Sequence, residues 1–294
     1  MALYTIPTDS SGAGLWVPPY TLADGVYSVQ GRSVYGGPSG PLGPGVSLTM
    51  PNAAKVATLA LIARMSVAPT SGRAAAMYAL ISALMTAGVW AKLDVLYLLA
   101  AHDPQAARLN WIGSSYDLNA YSSPIYTTDR EVKGDGVMAW LDATGYNPSS
   151  TVGKLLLNDA SVGIWVRTPS AGSGTDLFGG TAWMARRNTG ADWHYRVNDN
   201  TSSFGQPGDT AGFYVGCRAD STTKRLYRNG VQIASHAVAS TAIANRFNLL
   251  GQSAGNYSAV GASAAFAGGN LTDAENVLLY SAIRTYLIAL GATS

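Results

Sequence analysis

The spacing of apolar and polar positions divides the chain into three stretches. Residues 51–109 carry apolar residues at helical intervals. The first predicted helix covers residues 51–65 and is ended by Ala68-Pro69. Ser71 caps a second, with Met77, Leu80, Ile81 and Leu84 on one face and Gly88 closing it. A third helix is expected from Val89, burying Leu93, Leu96, Tyr97 and Ala100. Asp103-Pro104 then supplies an N-cap followed by proline at the first helical position, the start of a short fourth turn.

From residue 110 the period changes to two. Segments 160–167, 193–197, 212–219 and 225–235 alternate, or are rich in β-branched and aromatic residues, and turn clusters separate them. Residues 224–235 read as a hairpin, because Asn229-Gly230 supplies the two φ > 0 residues of a type I′ turn. At the far end Thr272-Asp273-Ala274-Glu275 is a capping box. It opens a helix whose apolar face is Leu279, Ile283, Tyr286, Leu287 and Leu290, and Gly291 closes it.

Residues 1–50 hold no sustained period. The Gly/Pro run at 36–45 cannot be helical, and proline removes ladder donors from a strand, although residues 20–29 can pair as short strands. An arm reaching to another subunit and an unstructured linker are both open readings. The pattern therefore predicts a mainly-β fold in three parts. A Gly/Pro-rich arm (1–50) and a small helical layer (51–109) precede a jelly-roll-like double sheet with a C-terminal helix (110–294).

Charged residues make up only 12% of the 294 residues, about half the usual share. So bland a surface tends to associate, and a homo-oligomer is expected. The net charge of +2, with no basic run, gives no footprint for nucleic acid. Cys217 is the only cysteine, so no intrachain disulfide or CxxC metal site exists, and it reads as a small buried hydrophobe. The N-terminus lacks the basic and apolar regions of a signal peptide. The 18 uncharged residues from Ala74 to Ala91 are Ala-rich and helically periodic, which favours a buried helix over a membrane span.

Several motifs together carry a resemblance. Residues 124–130 and 133–142, the hairpin RLYRNGVQI, the segment FNLLG and the helix LTDAENVLLY follow one another as in concanavalin-A-like, laminin-G-like sandwich domains. Residues 88–112 resemble a module of bacteriophage tail and fibre proteins that directly precedes the same β domain. The resemblance covers about three quarters of the chain and leaves out its first 50 residues. It implies a phage virion structural protein of tail, fibre or decoration type, assembled with other virion proteins, made in the bacterial cytoplasm and carried on the particle. A homotrimer is the expected assembly by analogy with fibres. The implied ligand of the sandwich is a host-surface polysaccharide. A scaffold that binds no sugar and a glycan-degrading enzyme are the alternatives.

Catalytic motifs find little support. Gly251-Gln252-Ser253-Ala254-Gly255 fits G-x-S-x-G, but no helical pattern follows it and the last histidine, His236, lies upstream. A tight turn between strands explains its glycines. Glycoside hydrolysis needs paired carboxylates. The chain has two glutamates, Glu131 in a charged turn and Glu275 in the capping box, and otherwise only aspartates such as Asp192, Asp199 and Asp209. His102, His194 and His236 have no zinc spacing, loop oxygens near Asn198 and Asn200 lack Ca²⁺-loop spacing, and no nucleotide or other cofactor motif occurs. No catalytic residue, metal or cofactor is therefore assigned, and the chain is expected not to be an enzyme. The candidate binding residues are Trp193, Tyr195, Arg196, Asn198 and Asp199, which combine aromatic faces with directional hydrogen-bonding groups. The competing reading is that Trp193, Tyr195 and Val197 share a buried strand face above a polar hairpin turn.

Overall fold

The computed structural model describes residues 26–29, 46–49, 52–150, 153–170, 174–186, 192–207, 211–252 and 255–292. The chain divides into two compact units, Met1–Val56 and Ala57–Ser294. In the first, β1 (Val26–Val29) pairs antiparallel with β2 (Val46–Thr49). The Gly/Pro run at 36–45 lies outside the described residues. Helix α1 (Ala53–Ile62) opens at Asn52, whose Oδ1 accepts from the backbone N–H groups of Ala54 and Lys55.

Within the second unit α2 spans Ser71–Thr86 and buries the four residues its spacing singled out. Its cap is Thr70 rather than Ser71, the hydroxyl accepting from Arg73 N. The expected third helix is corrected. Trp90–Lys92 makes a single 3-10 turn, and Leu93–Leu98 is a strand, β3. An apolar run covered on both sides satisfies helical and extended spacing equally, and only its pairing partner decides. The expected fourth turn is a 3-10 turn at Ala106–Arg108, with Asp103 Oδ1 accepting from the N–H groups of Gln105 and Ala106.

The remaining strands follow in order. They are β4 (Leu118–Tyr121), β5 (Ile125–Thr127), β6 (Glu131–Lys133), β7 (Trp140–Ala143), β8 (Ala160–Thr168) and β9 (Gly174–Phe178). Then come β10 (Trp183–Arg186), β11 (Asp192–Arg196), β12 (Ser203–Pro207), β13 (Gly212–Arg218) and β14 (Thr223–Arg228). The last are β15 (Val231–Ala237), β16 (Asn248–Leu249) and β17 (Gly261–Gly268), before helix α3 (Asp273–Ala289).

Among the described residues these strands form two antiparallel sheets. One has seven strands in the order β12-β11-β10-β9-β16-β7-β4. The other has eight, running β15-β14-β13-β8-β17-β6-β5, with β3 also on β17. Strand β8 lines one edge of β17; on the other, β6 takes Gly261 and Ala262, and β3 takes Ala264 to Gly268. A boundary at 109/110 therefore does not separate a helical layer from the sandwich, since β3 belongs to the sheet.

The core lies between the sheets. Val95, Tyr97, Ile164, Tyr214 and Leu226 enter it from the eight-stranded side, and Leu141, Leu177, Met184, Trp193, Tyr195 and Leu249 from the other. Burial continues on the outer side of the larger sheet, at Trp165, Phe213, Val215 and Phe266. Helix α3 covers that side: Tyr280 stacks on Trp165 at 5.4 Å, and Tyr227 Oη donates to Asp273 Oδ1 at 2.6 Å. Cys217 is buried beneath Asn276, whose Nδ2 lies 3.5 Å from its Sγ, and burial pushes its thiol up to about 12. The capping box forms as the sequence indicates, with Thr272 Oγ1 accepting from Glu275 N and Glu275 Oε2 from Thr272 N. Asn229 and Gly230 take φ of 52° and 81°, as a type I′ turn requires. No helix among the described residues is long and apolar enough to cross a membrane.

Candidate functional site

Antiparallel register aligns side chains in rows across a sheet, and successive rows face opposite sides. In the seven-stranded sheet one row reads Leu141, Leu249, Leu177, Met184, Tyr195, and all five belong to the core. The next row must therefore face outward. It reads Asn119, Asp142, Asn248, Phe178, the backbone position of Trp183, and Arg196. Six strands at about 4.8 Å spacing make this row ~24 Å long.

One row further along β4 and β7, Tyr121 pairs with Trp140 on the same face. Their rings stack at 4.3 Å and 10°, and Tyr121 is 41% exposed. Gly251 lets the chain pass beside them, because a Cβ there would lie 2.7 Å from Tyr257 Cδ1 and 3.2 Å from Trp140 Cβ. At the rim, Val137 and Met138 are exposed on a turn held by Asp135, whose Oδ1 accepts three backbone N–H groups at 2.8 Å. Those bonds hold the Asp135 carboxyl below the usual carboxylate range. On the other side of Asn248, the Arg246 guanidinium lies 5.7 Å over the Phe178 ring.

Asn248 is the anomaly in this face. It is 2% exposed, its Oδ1 is buried, and among the described residues that oxygen accepts nothing. A buried carbonyl oxygen without a donor costs about 1–3 kcal/mol, so its retention needs a reason. Nearby donors are already used. Asn119 Nδ2 donates to Thr144 Oγ1 at 2.7 Å, and Thr144 Oγ1 donates to Asp142 Oδ2 at 3.1 Å.

The sequence-predicted binding residues lie mostly elsewhere. Trp193 is fully buried and stacks on Tyr214 at 4.0 Å. Tyr195 is fully buried too, its hydroxyl 2.9 Å from His236 Nδ1 and its pKa raised by burial. Neither ring offers a face to a ligand from solvent. Asn198, at φ 56°, donates to Leu156 O and Leu157 O and accepts from Ala244 N, fastening three segments together. Asp199 is fully buried between Arg218, 3.2 Å away, and Lys224 at 2.8 Å, and it also accepts from the N–H groups of Val197 and Thr201. Burial lowers the Lys224 pKa, and Asp199 opposes that shift. Arg196 alone of the five stands in the outward row, half-buried, with Nε donating to Ser202 Oγ at 3.0 Å. Asp209 lies outside the described residues.

The row contains one carboxylate, Asp142. Glu131 sits on the opposite sheet, where Thr168 Oγ1 donates to both its oxygens, and Glu275 is held by the cap and Lys92. Beside the rejected serine motif, Gly255 N donates to Gln252 O at 3.2 Å, a turn; Ser253 itself is not among the described residues. Sequence reasoning missed Asn119, Asp142, Asn248 and Phe178 as a group. Alternation could have marked each as outward on its own strand, but only register brings four distant segments into one line.

No family profile matches the sequence, and no curated protein matches it. Solved structures match in fold. The receptor-binding domain of the botulinum neurotoxin C/D mosaic serotype superposes with a TM-score of 0.50 at 11% identity, over 65% of this chain and 51% of that one. Trypanosoma rangeli sialidase, in complex with 2,3-difluorosialic acid as a covalent intermediate, gives a TM-score of 0.50 at 14% identity, over 65% of this chain and 33% of that one. The chain thus spans about half the length of the first of these neighbours and a third of the second. At such identities the likeness shows a shared β-sandwich fold.

Proposed function

We propose that this chain is a non-catalytic glycan-binding protein whose sugar site is the outer face of the seven-stranded sheet. The observation that carries the reading is the composition of that face, with stacked Tyr121 and Trp140 beside a line of Asn119, Asp142 and Asn248. Aromatic faces pack against sugar C–H groups while amides and carboxylates bind hydroxyls. Fold neighbours that include a receptor-binding domain and a sialidase holding a sialic-acid derivative are compatible with it. Against hydrolysis by a carboxylate pair stands the single carboxylate of the row.

The carrier proposed is a bacteriophage virion, with the chain as a tail, fibre or decoration component in a homo-oligomer, a trimer by analogy with fibres. The resemblance of residues 88–112 and of the sandwich motifs supports this, as does the low charge. Particle proteomics of a purified phage encoding the chain tests the carrier. A glycan array tests the site. Retained host polysaccharide, lost in Trp140→Ala, supports it; no retained sugar favours the purely structural scaffold. Release of reducing ends from a bound polysaccharide would instead establish an enzyme.

A further inference from the structure

Helices α2 and α3 lie side by side and antiparallel. Arg73, in the first turn of α2, meets Tyr286 near the end of α3, and Lys92, just past α2, holds Glu275 at the start of α3 at 2.7 Å. Tyr280 faces the sheet, and helical spacing turns Leu278, Thr285 and Ala289 to the opposite side. There the two helices leave an open groove of about 280 Å³, with Ala79 and Ala83 on one wall and Leu278, Ser281, Thr285 and Ala289 on the other. No residue lining it is charged, and no exposed residue of α2 is charged either. Beyond the groove, Val277 and Ile288 are exposed on α3. Gly230 lies against that helix, where an added Cβ would be 3.0 Å from Val277 Cα, so the exposed Val231 continues the apolar surface. The one charged residue along Val277–Ala289 is Arg284, about a third of a turn from Leu278 on the flank away from the groove.

We propose that this face joins two copies of the chain about a two-fold axis, α2 and α3 of each packing against those of the other. The proposal rests on the homo-oligomer expected from the low charge and names the surface that forms it. A charged partner finds nothing in the groove to pair with. A second copy brings the same uncharged surface and meets no like charge across it. A two-fold contact uses the same residues on both sides, so one such surface is enough. The area is also sufficient. The 16 residues of α2 span ~24 Å, and two helices about 8–10 Å apart present a strip ~20 Å wide. Two copies meeting on that strip bury about 1,000 Å², the least that a specific interface needs. Ala79, Ala83 and Ala289 let a facing helix approach closely, while Leu278 and Ile288 supply apolar area. The sugar face proposed above lies on the far side of the sandwich and stays open in the pair.

The test is sedimentation of the full chain over a range of concentrations. The wild-type chain is expected to pass from its own mass to twice that mass as concentration rises through the micromolar range. Ala79→Glu sets a carboxylate into the contact from both copies and is expected to weaken association about 10-fold or more. Its melting temperature at low concentration is expected to stay unchanged, because Ala79 is exposed in the single chain. If Ala79→Glu fails to fold, Thr285→Glu, exposed on the facing wall, carries the same forecast. Val137→Glu, an exposed apolar position at the rim of the other sheet, is expected to leave association within about twofold. Salt at about 1 M, which cuts the Debye length to ~3 Å, is expected to leave the pair intact. An oligomer indifferent to both groove variants, weakened equally by Val137→Glu, or dissolved by salt overturns the face while leaving self-association in place. A chain that stays monomeric, and whose groove variants instead abolish a complex with another virion protein, gives the face to that partner and overturns self-pairing. A monomer at every concentration sinks the proposal and the homo-oligomer with it. Glycan retention is read separately, since the sugar face takes no part in the contact.

Discussion

The two sheets turn opposite kinds of outer face away from the same core. Over the eight-stranded sheet, Trp165, Phe213, Val215 and Phe266 continue the apolar interior outward until α3 covers them. Over the seven-stranded sheet the outward row carries amides, a carboxylate, a guanidinium and partly exposed rings. Strands β8, β13 and β17 are consequently buried at almost every position, whereas β4 and β7 retain exposed or half-buried ones. Coverage decides the chemistry: a helix-covered face needs volume and shape, and a solvent-facing one is free to keep polar groups. Asn248 departs from both rules, being polar and almost wholly buried with an Oδ1 that accepts no hydrogen bond.

The contrast can be tested from both sides. A fragment of residues 110–294 removes β3 and bares the edge of β17, so it is expected to yield insoluble protein without a cooperative melt. A fragment beginning at residue 57 keeps the strand and is expected to melt cooperatively. Trp165→Ala, on the covered face, is expected to lose about 3–5 kcal/mol in denaturant titration. Trp140→Ala, on the open face, is expected to lose only ~1 kcal/mol while abolishing glycan retention. Equal stability losses at the two tryptophans would contradict the division. Asp199→Ala leaves Arg218 and Lys224 buried without their carboxylate and is expected to cost about 3–5 kcal/mol by the same measurement. That effect comes with no change in sugar affinity, if this residue serves the fold alone.

Smaller effects concern the covering helix. Thr272→Ala removes the α3 cap and is expected to cost ~1 kcal/mol in thermal or chemical melts. At Glu275 burial alone would raise the pKa, but hydrogen bonds from Lys92 and Thr272 outweigh it and hold the carboxyl below its ordinary value. A carboxylate depressed in the folded state contributes fully above its unfolded pKa and loses that contribution as pH falls through the folded one. Stability is therefore expected to decline on acidification below the ordinary glutamate range, with a shallower decline in Glu275→Gln. Because Lys92 is partly exposed the difference is expected to stay under about 1 kcal/mol.

Local chemistry made the ends of elements legible. Asn229-Gly230, the Thr272–Glu275 box and the α2 face needed only neighbouring residues, and each forms where the sequence places it. Leu93–Leu98 was not legible, because a run buried on both faces lacks the contrast that separates a period of two from one of 3.6. The candidate site failed for a related reason. Trp193, Tyr195, Asn198 and Asp199 have the composition of a sugar site, yet the side of the sheet they occupy follows from pairing partners distant in sequence. Arg196 differs from Tyr195 by one position and so faces the other way.

The placement of β3 also constrains the order in which this molecule can be made. Leu98 pairs with Ala264, far along the chain, so the slot beside β17 does not exist until Gly261–Gly268 has left the ribosome. Until then β3 waits as an unpaired strand, apolar at every position but Asp94. Contacts so distant in sequence form slowly and leave sticky intermediates exposed. Synthesis in the cell should thus depend on chaperones, and slowed translation of the segment leading into β17 should raise aggregation rather than relieve it.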